Sequence, residues 1–344
     1  MTRTGRISVV AAMLNEAANV AGLVEDLAEQ DFEGAIEIFV ADGGSSDGSR
    51  ELLRRAAEKA GLELTVVDNP RRIVSTGLNE CIRRCRGDLI VRLDCHSRYP
   101  PDYLSRCAKA ADETGAWNVG GIYEPVGRTP TERAVACALD SAFGGVNWAR
   151  DAGSGERVDA DTVYLGAFRP VAFERSGLYS EELVRNQDDE LNVRIRRSGG
   201  RVVLDPSIRS HYTPRGSYVS LARQYYQYGL WKTVVMAEHR RVLSARSLAP
   251  PALVGSLVAL AAVAPFSRAA RGLLAAEVGI YLLAAVGFGS AAVRRRREPP
   301  KLVPRVLAVY PTLHLAYGVG MAAGAGRLRR LRRSMRTAAA GDAT

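Results

Sequence analysis

Leu89-Ile90-Val91-Arg92-Leu93-Asp94-Cys95-His96 is the stretch whose reading decides the fold. Leu89–Leu93 is an apolar, strand-like run, and it ends on an aspartate. A carboxylate just past a buried strand is costly unless it binds a cation or a ligand. About ninety residues on, Asn186-Gln187-Asp188-Asp189-Glu190-Leu191 opens a helical pattern, and its acids offer a base able to act on something held by the first cluster.

Working outward from Asp94, the first hundred residues alternate. Ile7–Ala12 reads as a buried strand, and Asn15-Glu16 opens a helical pattern to about Gln30. Ile36–Ala41 is a second strand, and Asp47 caps a helix to about Lys59. Glu63–Val67 is a third strand, Ser75–Cys85 has helical spacing, and Asp88–Leu93 is a fourth strand. Short apolar strands alternating with amphipathic helices predict a parallel sheet with helices on both faces. Ligands in such sheets sit beyond the carboxyl ends of the strands. Asn15, Asp42, Asp68 and Asp94 all fall at such ends, which points to one shared crevice. After Pro101 the pattern loosens: Trp117–Tyr123 and Thr162–Phe168 read as strands, Asp188–Ser198 and Ser217–Lys232 as helices.

The net charge of +10 is a misleading average. Residues 239–344 hold 17 Lys+Arg against 3 Asp+Glu, while residues 1–238 hold 30 against 34. A mildly acidic catalytic portion argues against a nucleic-acid-binding face. The basic excess fits a membrane-apposed tail. Within it, Leu248–Phe266, Gly272–Val293 and Val306–Gly326 are each about long enough to span a bilayer, and only Glu277 carries charge among them. Arg294–Arg297 and the Arg327–Arg336 cluster bound them. Three full spans from a cytoplasmic catalytic domain would put the second cluster outside, against the positive-inside tendency. Either the third segment is re-entrant or interfacial, or one of the first two does not cross.

The five cysteines (Cys81, Cys85, Cys95, Cys107, Cys137) lack a paired framework and read as ordinary reduced thiols. Met1–Arg6 leads straight into a strand with no apolar core, so no signal peptide is expected.

Five motifs in order carry a family likeness: Met13-Leu14-Asn15-Glu16, Ala41-Asp42-Gly43-Gly44-Ser45-Ser46-Asp47-Gly48, Leu93-Asp94-Cys95-His96, Asn186–Leu191 and Gln224-Tyr225-Tyr226-Gln227-Tyr228-Gly229. With them the chain resembles the family-2 glycosyltransferases of the GT-A fold. Among these it is similar to the membrane-associated exopolysaccharide glycosyltransferases of the succinoglycan type, over roughly residues 6–235 plus the apolar tail.

The resemblance implies an α/β, Rossmann-like GT-A domain over residues 1–240, a membrane-associated helical region over 241–337 and a disordered tail over 338–344. It places Asn15, Glu16, Asp42, Gly43 and Asp94 on the donor nucleotide. Asp42 would accept from a base N–H or ribose hydroxyl, and Gly43 and Gly44 would let the backbone approach. Asp47 would start the next helix. Asp94-Cys95-His96 stands in the place of the family's metal-binding Asp-x-Asp, with His96 a departure that either ligates Mn²⁺ better than Mg²⁺ or bonds instead to phosphate or the sugar. His211 is a further candidate ligand, so the implied metal set is Asp94, His96 and His211 around a divalent Mn or Mg ion bridging the diphosphate.

Asp188 matches the general base of inverting members. Gln187, Gln227 and Trp231 are the implied acceptor residues, although Trp231 serves equally well as packing. Gln227-Tyr228-Gly229-Leu230-Trp231 echoes a processive-synthase signature but has Leu230 at its arginine position, which favours single-sugar transfer. The expected function is inverting transfer of a hexose, UDP-linked, to a lipid-linked saccharide at the cytoplasmic face of the membrane. Two alternatives are a sugar transferase acting directly on polyprenyl phosphate and a non-catalytic nucleotide-sugar-binding membrane scaffold.

Overall fold

The computed structural model describes residues 3–144, 155–240 and 245–341, with side chains described as far as Leu328. The alternation read from the sequence is present: β1 (Arg6–Met13), α1 (Val20–Ala28), β2 (Ala35–Asp42), α2 (Ser49–Lys59), β3 (Leu64–Asp68), α3 (Val74–Ile82) and β4 (Leu89–Asp94). Then follow β5 (Ser97–Arg98), α4 (Tyr103–Thr114), β6 (Asn118–Pro125), α5 (Pro130–Leu139), β7 (Val158–Asp159) and β8 (Tyr164–Phe168). The series continues with α6 (Pro170–Ser176), α7 (Gln187–Arg197), β9 (Val202–Tyr212) and α8 (Tyr218–His239). Three further α-helices close the chain: α9 (Ala249–Val263), α10 (Arg268–Arg295) and α11 (Val303–Gly341).

The strands form one mixed sheet in the order β3-β2-β1-β4-β8-β6-β9-β5, with β7 beside β9. β3, β2, β1 and β4 run parallel, and β8 enters antiparallel between β4 and β6. The order reverses at β1, which has β2 on one side and β4 on the other. A crevice outside the carboxyl ends of β1 and β4 is the expected ligand position of such a sheet. The strand period of two sends alternate β4 residues to opposite faces. Val91, Leu93 and Cys95 pack with Leu23 and Leu27 of α1, Leu53 of α2 and Leu104 of α4. Ile90 packs on the other face with Leu78 of α3, Phe173 of α6 and Leu191 and Ile195 of α7.

The described chain divides into two compact units. The first holds the residues up to Pro125 and those from Gly155 to Thr213, and so contains the whole sheet. The second holds α5 together with everything from Pro214 onward. The 214–240 stretch, grouped by the sequence with the catalytic portion, thus clusters with the C-terminal helices. The physical reason is a seam of glycines. A Cβ on Gly229 of α8 would lie 2.1 Å from the Tyr317 carbonyl oxygen of α11, and one on Gly320 would lie 2.1 Å from that of Tyr226. Gly324 repeats the pattern against Leu230, so α8 and α11 meet backbone to backbone, the close packing that small residues four apart permit. α5 joins the same unit through polar contacts. Arg133 pairs with Glu298, Asp140 with Arg296, and the Tyr310 hydroxyl donates to Ser141 Oγ at 2.9 Å.

Three helical segments are long and apolar enough to cross a membrane: Ala245–Val263, Arg268–Arg295 and Pro300–Leu328. They contain the three expected apolar runs, apart from the residues just past Val263. No residue of the first apolar window is buried, whereas 39% of the third is buried inside the protein. The third segment is therefore a packing partner of α5 and α8 as well as a candidate span. Helix α11 also runs on through the basic cluster to Gly341, where a disordered tail from 338 was expected; residues 342–344 lie outside the described part.

Candidate active site

β1, β2 and β4 deliver their polar residues to the same edge, because Met13 pairs with Asp42 and Ala12 with Asp94 in the parallel register. The loops after β1 and β2 are stitched together. The Asn15 amide donates to Ser45 Oγ at 2.9 Å, and the Ser46 amide returns a bond to Asn15 Oδ1 at 2.9 Å. Asn15 sits in the left-handed region at φ 57°, a conformation asparagine tolerates better than most residues. The Glu16 amide donates to Ser49 Oγ, and the Ala17 amide to Asp47 Oδ2.

Asp42 is buried at the end of β2. Its Oδ1 accepts from the Ser45 amide at 3.0 Å and the Ser45 hydroxyl at 2.7 Å, so that oxygen builds the loop. Its Oδ2 faces Arg50 Nη1 at 3.7 Å. A Cβ on Gly43 would meet only ordinary contacts, at 3.4 Å or more, so the fold itself does not demand glycine there.

Asp94 is fixed by its backbone. The Tyr99 hydroxyl accepts from the Asp94 amide at 2.7 Å and donates to its carbonyl at 3.0 Å. Tyr99 is fully enclosed, and burial pushes its phenol well above the ordinary range, so it stays a donor. The Asp94 carboxylate reaches the crevice with 21% of its side chain exposed. His96 is more open, its Nδ1 lying 3.7 Å from Glu16 Oε1. Burial alone would raise the Glu16 pKa, but hydrogen bonds from His96 and Asn19 outweigh it and hold the value below normal. Glu16 is thus an ionised wall of the crevice. The His96 ring meets Tyr212 edge-on at 6.1 Å, and Tyr212, Tyr123 and Tyr164 continue as a row of rings.

Asp188 comes from the first turn of α7 and ends up on the same side of β4 as Asp94. The link is Arg92, two residues before Asp94 on the same strand face. Its Nη1 pairs with Asp188 Oδ1, and its Nη2 lies 3.3 Å from Asp94 Oδ1. Arg92 is 6% exposed, and its Nε is buried without a hydrogen-bond partner. Burial raises the pKa of Asp188; Arg92 opposes this, and the charges of Asp94 and Asp189 add to it. The neighbouring Glu190 is spent elsewhere. It is buried and accepts from Arg194 through both oxygens, at 2.7 and 2.6 Å.

Sequence reasoning passed over Arg92, Tyr99 and the buried Tyr179 on the Arg92–Asp188 side. Arg92 carried a readable signal: one charge inside an apolar strand, at the i−2 position that shares a face with Asp94.

Three further groups of expected site residues have other surroundings. His211 is on the face of β9 opposite Tyr212, because successive strand residues alternate. It lies 3.7 Å from Glu124 and lines a cavity of about 520 Å³ with Asp102, Arg106 and Arg209, so it is not brought to Asp94 and His96. Gln187 is buried, with only 5% exposed. Gln227 and Trp231 belong to the second unit, where the Arg327 guanidinium stacks 5.0 Å from the Trp231 ring. All five cysteines are free, and burial pushes the Cys81 and Cys85 thiols up to about 12, which makes them poor metal ligands.

Among the described residues no group of three His, Cys, Asp or Glu side chains forms a self-sufficient metal centre. What remains at the crevice is a set of partial ligands: an exposed edge of Asp94, an open imidazole at His96 and the ionised Glu16. That set suits a cation whose other ligands come with a diphosphate, and its mix of carboxylate and imidazole suits Mn²⁺.

Residues 8–142 match the model for glycosyl transferase family 2. The succinoglycan biosynthesis protein ExoA of Rhizobium meliloti (strain 1021) is 30% identical over 334 residues, 93% of this chain and 94% of its own length. A dolichyl N-acetyl-α-D-glucosaminyl phosphate 3-β-D-2,3-diacetamido-2,3-dideoxy-β-D-glucuronosyltransferase of Methanococcus voltae is 22% identical over 240 residues, covering 67% of this chain and 74% of that one. Among solved structures, the mannosyltransferase PcManGT from Pyrobaculum calidifontis, in complex with GDP-Man and Mn²⁺, superposes with a TM-score of 0.66 at 22% identity, over 94% of this chain and 88% of the other.

Proposed function

Because the chain belongs to glycosyl transferase family 2 and has the GT-A fold, we propose that it is an inverting hexosyltransferase. It would use a nucleoside diphosphate sugar, UDP-linked, and extend a lipid-linked saccharide at the cytoplasmic membrane face. The observation that carries this reading is the pairing of Asp94 and Asp188 across Arg92 in one crevice. Donor and acceptor chemistry need two carboxylates of different duty held side by side, and the two acids sit in different settings. Asp94 is clamped at a strand end, while Asp188 is raised in basicity by burial.

In this reading Asp42, Asn15, Gly43 and Glu16 would border the donor nucleotide. Asp94 and His96 would hold that cation, which when bound would neutralise charge on the departing diphosphate. Asp188 accepts the proton of the acceptor hydroxyl as its oxygen attacks the anomeric carbon from the face opposite the nucleotide. A base with a raised pKa does this better than an ordinary aspartate, provided it stays ionised at working pH. The relatives support the acceptor class. ExoA is by name a succinoglycan biosynthesis protein, and the Methanococcus enzyme is by name a transferase to a dolichyl-linked sugar phosphate.

The test uses the purified full-length chain in detergent with Mn²⁺, offered a panel of UDP- and GDP-sugars and a lipid extract. Turnover of a UDP-hexose, with the anomeric configuration inverted in the product, is expected. Retention of configuration would overturn the mechanism, and turnover of no donor at all would overturn the enzyme assignment.

A further inference from the structure

We infer that Arg92 is a positioning residue of this active site, holding Asp188 in register with Asp94. The inference rests on Asp188 being the base. Arg92 occupies the middle of β4 between Val91 and Leu93, a single charge inside an apolar strand. A guanidinium buried this deeply is expensive, and its Nε finds no partner, so the fold gains little from it. As a whole such a buried network adds little to stability, although removing Arg92 alone would strand the carboxylates of Asp188 and Asp94. What the arginine provides is geometry. Its planar fork gives one terminal nitrogen to Asp188 and the other to Asp94. Lysine, a point charge, cannot make that double contact.

The surroundings agree. Asp188 lies on the first turn of α7, two residues past its N-cap. Asp189 beside it repels it electrostatically, and Tyr179 nearby is buried. Arg92 is the cation that opposes those terms. With 6% exposure it is too enclosed to reach a ligand, so it acts through Asp188 and not on the reacting atoms.

The experiment compares Arg92→Met and Arg92→Lys, in the full-length chain in detergent, alone and combined with Asp188→Asn. Turnover is read with the UDP-hexose selected by the donor panel, and nucleotide affinity with UDP and Mn²⁺ by calorimetry. Arg92→Met should lower kcat by roughly 10²-fold, the scale of a misplaced catalytic group. KM for the donor and UDP affinity should stay within about threefold. In the Asp188→Asn background the same change should cost less than about threefold more, because the two residues act as one unit. Arg92→Lys should keep the charge and still lose most of the rate. Wild-type kcat in Arg92→Met, an equal loss in both backgrounds, or a loss confined to UDP affinity would each overturn the role. If Arg92→Met does not fold, Arg92→Lys in the two backgrounds decides by the same criteria. Wild-type kcat in Asp188→Asn alone would overturn the base assignment itself, and this role with it.

Discussion

Arg92 divides one guanidinium between two acids: Nη1 pairs with Asp188 Oδ1, and Nη2 lies 3.3 Å from Asp94 Oδ1. One acid comes from the end of a strand and the other from the start of a helix more than ninety residues later in the chain.

Asp188→Asn keeps the shape of the side chain and removes its basicity. Transfer to a sugar hydroxyl should fall by roughly 10²-fold or more, within the usual span for a general base. UDP binding should be nearly unchanged, because Asp42, Asn15 and Asp94 stand at the strand ends rather than on α7. A small effect on transfer would favour a phosphate oxygen as acceptor. Loss of activity in Asp189→Asn with wild-type transfer in Asp188→Asn would move the base by one residue.

Asp94→Ala should abolish stimulation of turnover by Mn²⁺ and leave the catalytic unit folded. The readouts are a metal titration of turnover and the circular dichroism melt. Wild-type metal dependence in the variant would remove Asp94 from the cation site.

The rate should carry an acid limb above the pH of an ordinary aspartate. Asp188 has its pKa raised from 3.8, chiefly by burial. Its basic form is therefore lost earlier as pH falls, and kcat/KM should drop through that raised value. The linkage to stability has the opposite sense: the contribution of a raised carboxyl is present below its unfolded pKa and is lost as pH rises. A pH profile that is flat down to the ordinary aspartate range would contradict this.

Tyr99→Phe removes both bonds to the Asp94 backbone. Each lost bond with a buried partner left behind costs about 1–3 kcal/mol. Weaker UDP–Mn²⁺ binding and a lower melting temperature are expected together. An unchanged affinity would mean that Tyr99 supports the strand end without tuning the site.

Gly229→Val should disrupt the second unit. Its Cβ would be driven onto the Tyr317 carbonyl, and overpacking of this kind costs roughly 1–3 kcal/mol or more. The detergent-solubilised protein should melt at lower temperature while still binding UDP, a comparison that differential scanning fluorimetry makes directly.

Much of the catalytic unit was readable from local pattern. Ile7–Ala12, Ile36–Ala41 and Asp88–Leu93 are strands within a residue or two of their expected bounds, because apolar runs between helical spacings have few other uses. Asn15, Asp42 and Asp94 fall at the strand ends for the same reason. What pattern does not encode is which tertiary partner a residue finds. The face of β9 that takes His211 depends on register with β5 and β6, where Arg98 and Glu124 lie beside it. The departure of α5 and α8 to the C-terminal helices depends on Gly229, Gly320 and Gly324 meeting, and single glycines are ambiguous until their partners are known. Arg92 was visible as a charge in an apolar run, but its meaning required Asp188 to be in place.

The glycine seam between α8 and α11 also sets an order of assembly. α8 is made first, and its partner surface, Gly320 and Gly324, leaves the ribosome about ninety residues later, several seconds at ordinary synthesis rates. Throughout that interval α8 lacks the partner surface that Gly320 and Gly324 supply. α5 waits longer still for Arg296 and Tyr310. The sheet can therefore close during synthesis, whereas the second unit is completed only by the last helix. Release of the chain before that helix is finished should leave α8 open to protease, and pulse-labelled proteolysis of stalled chains would show it.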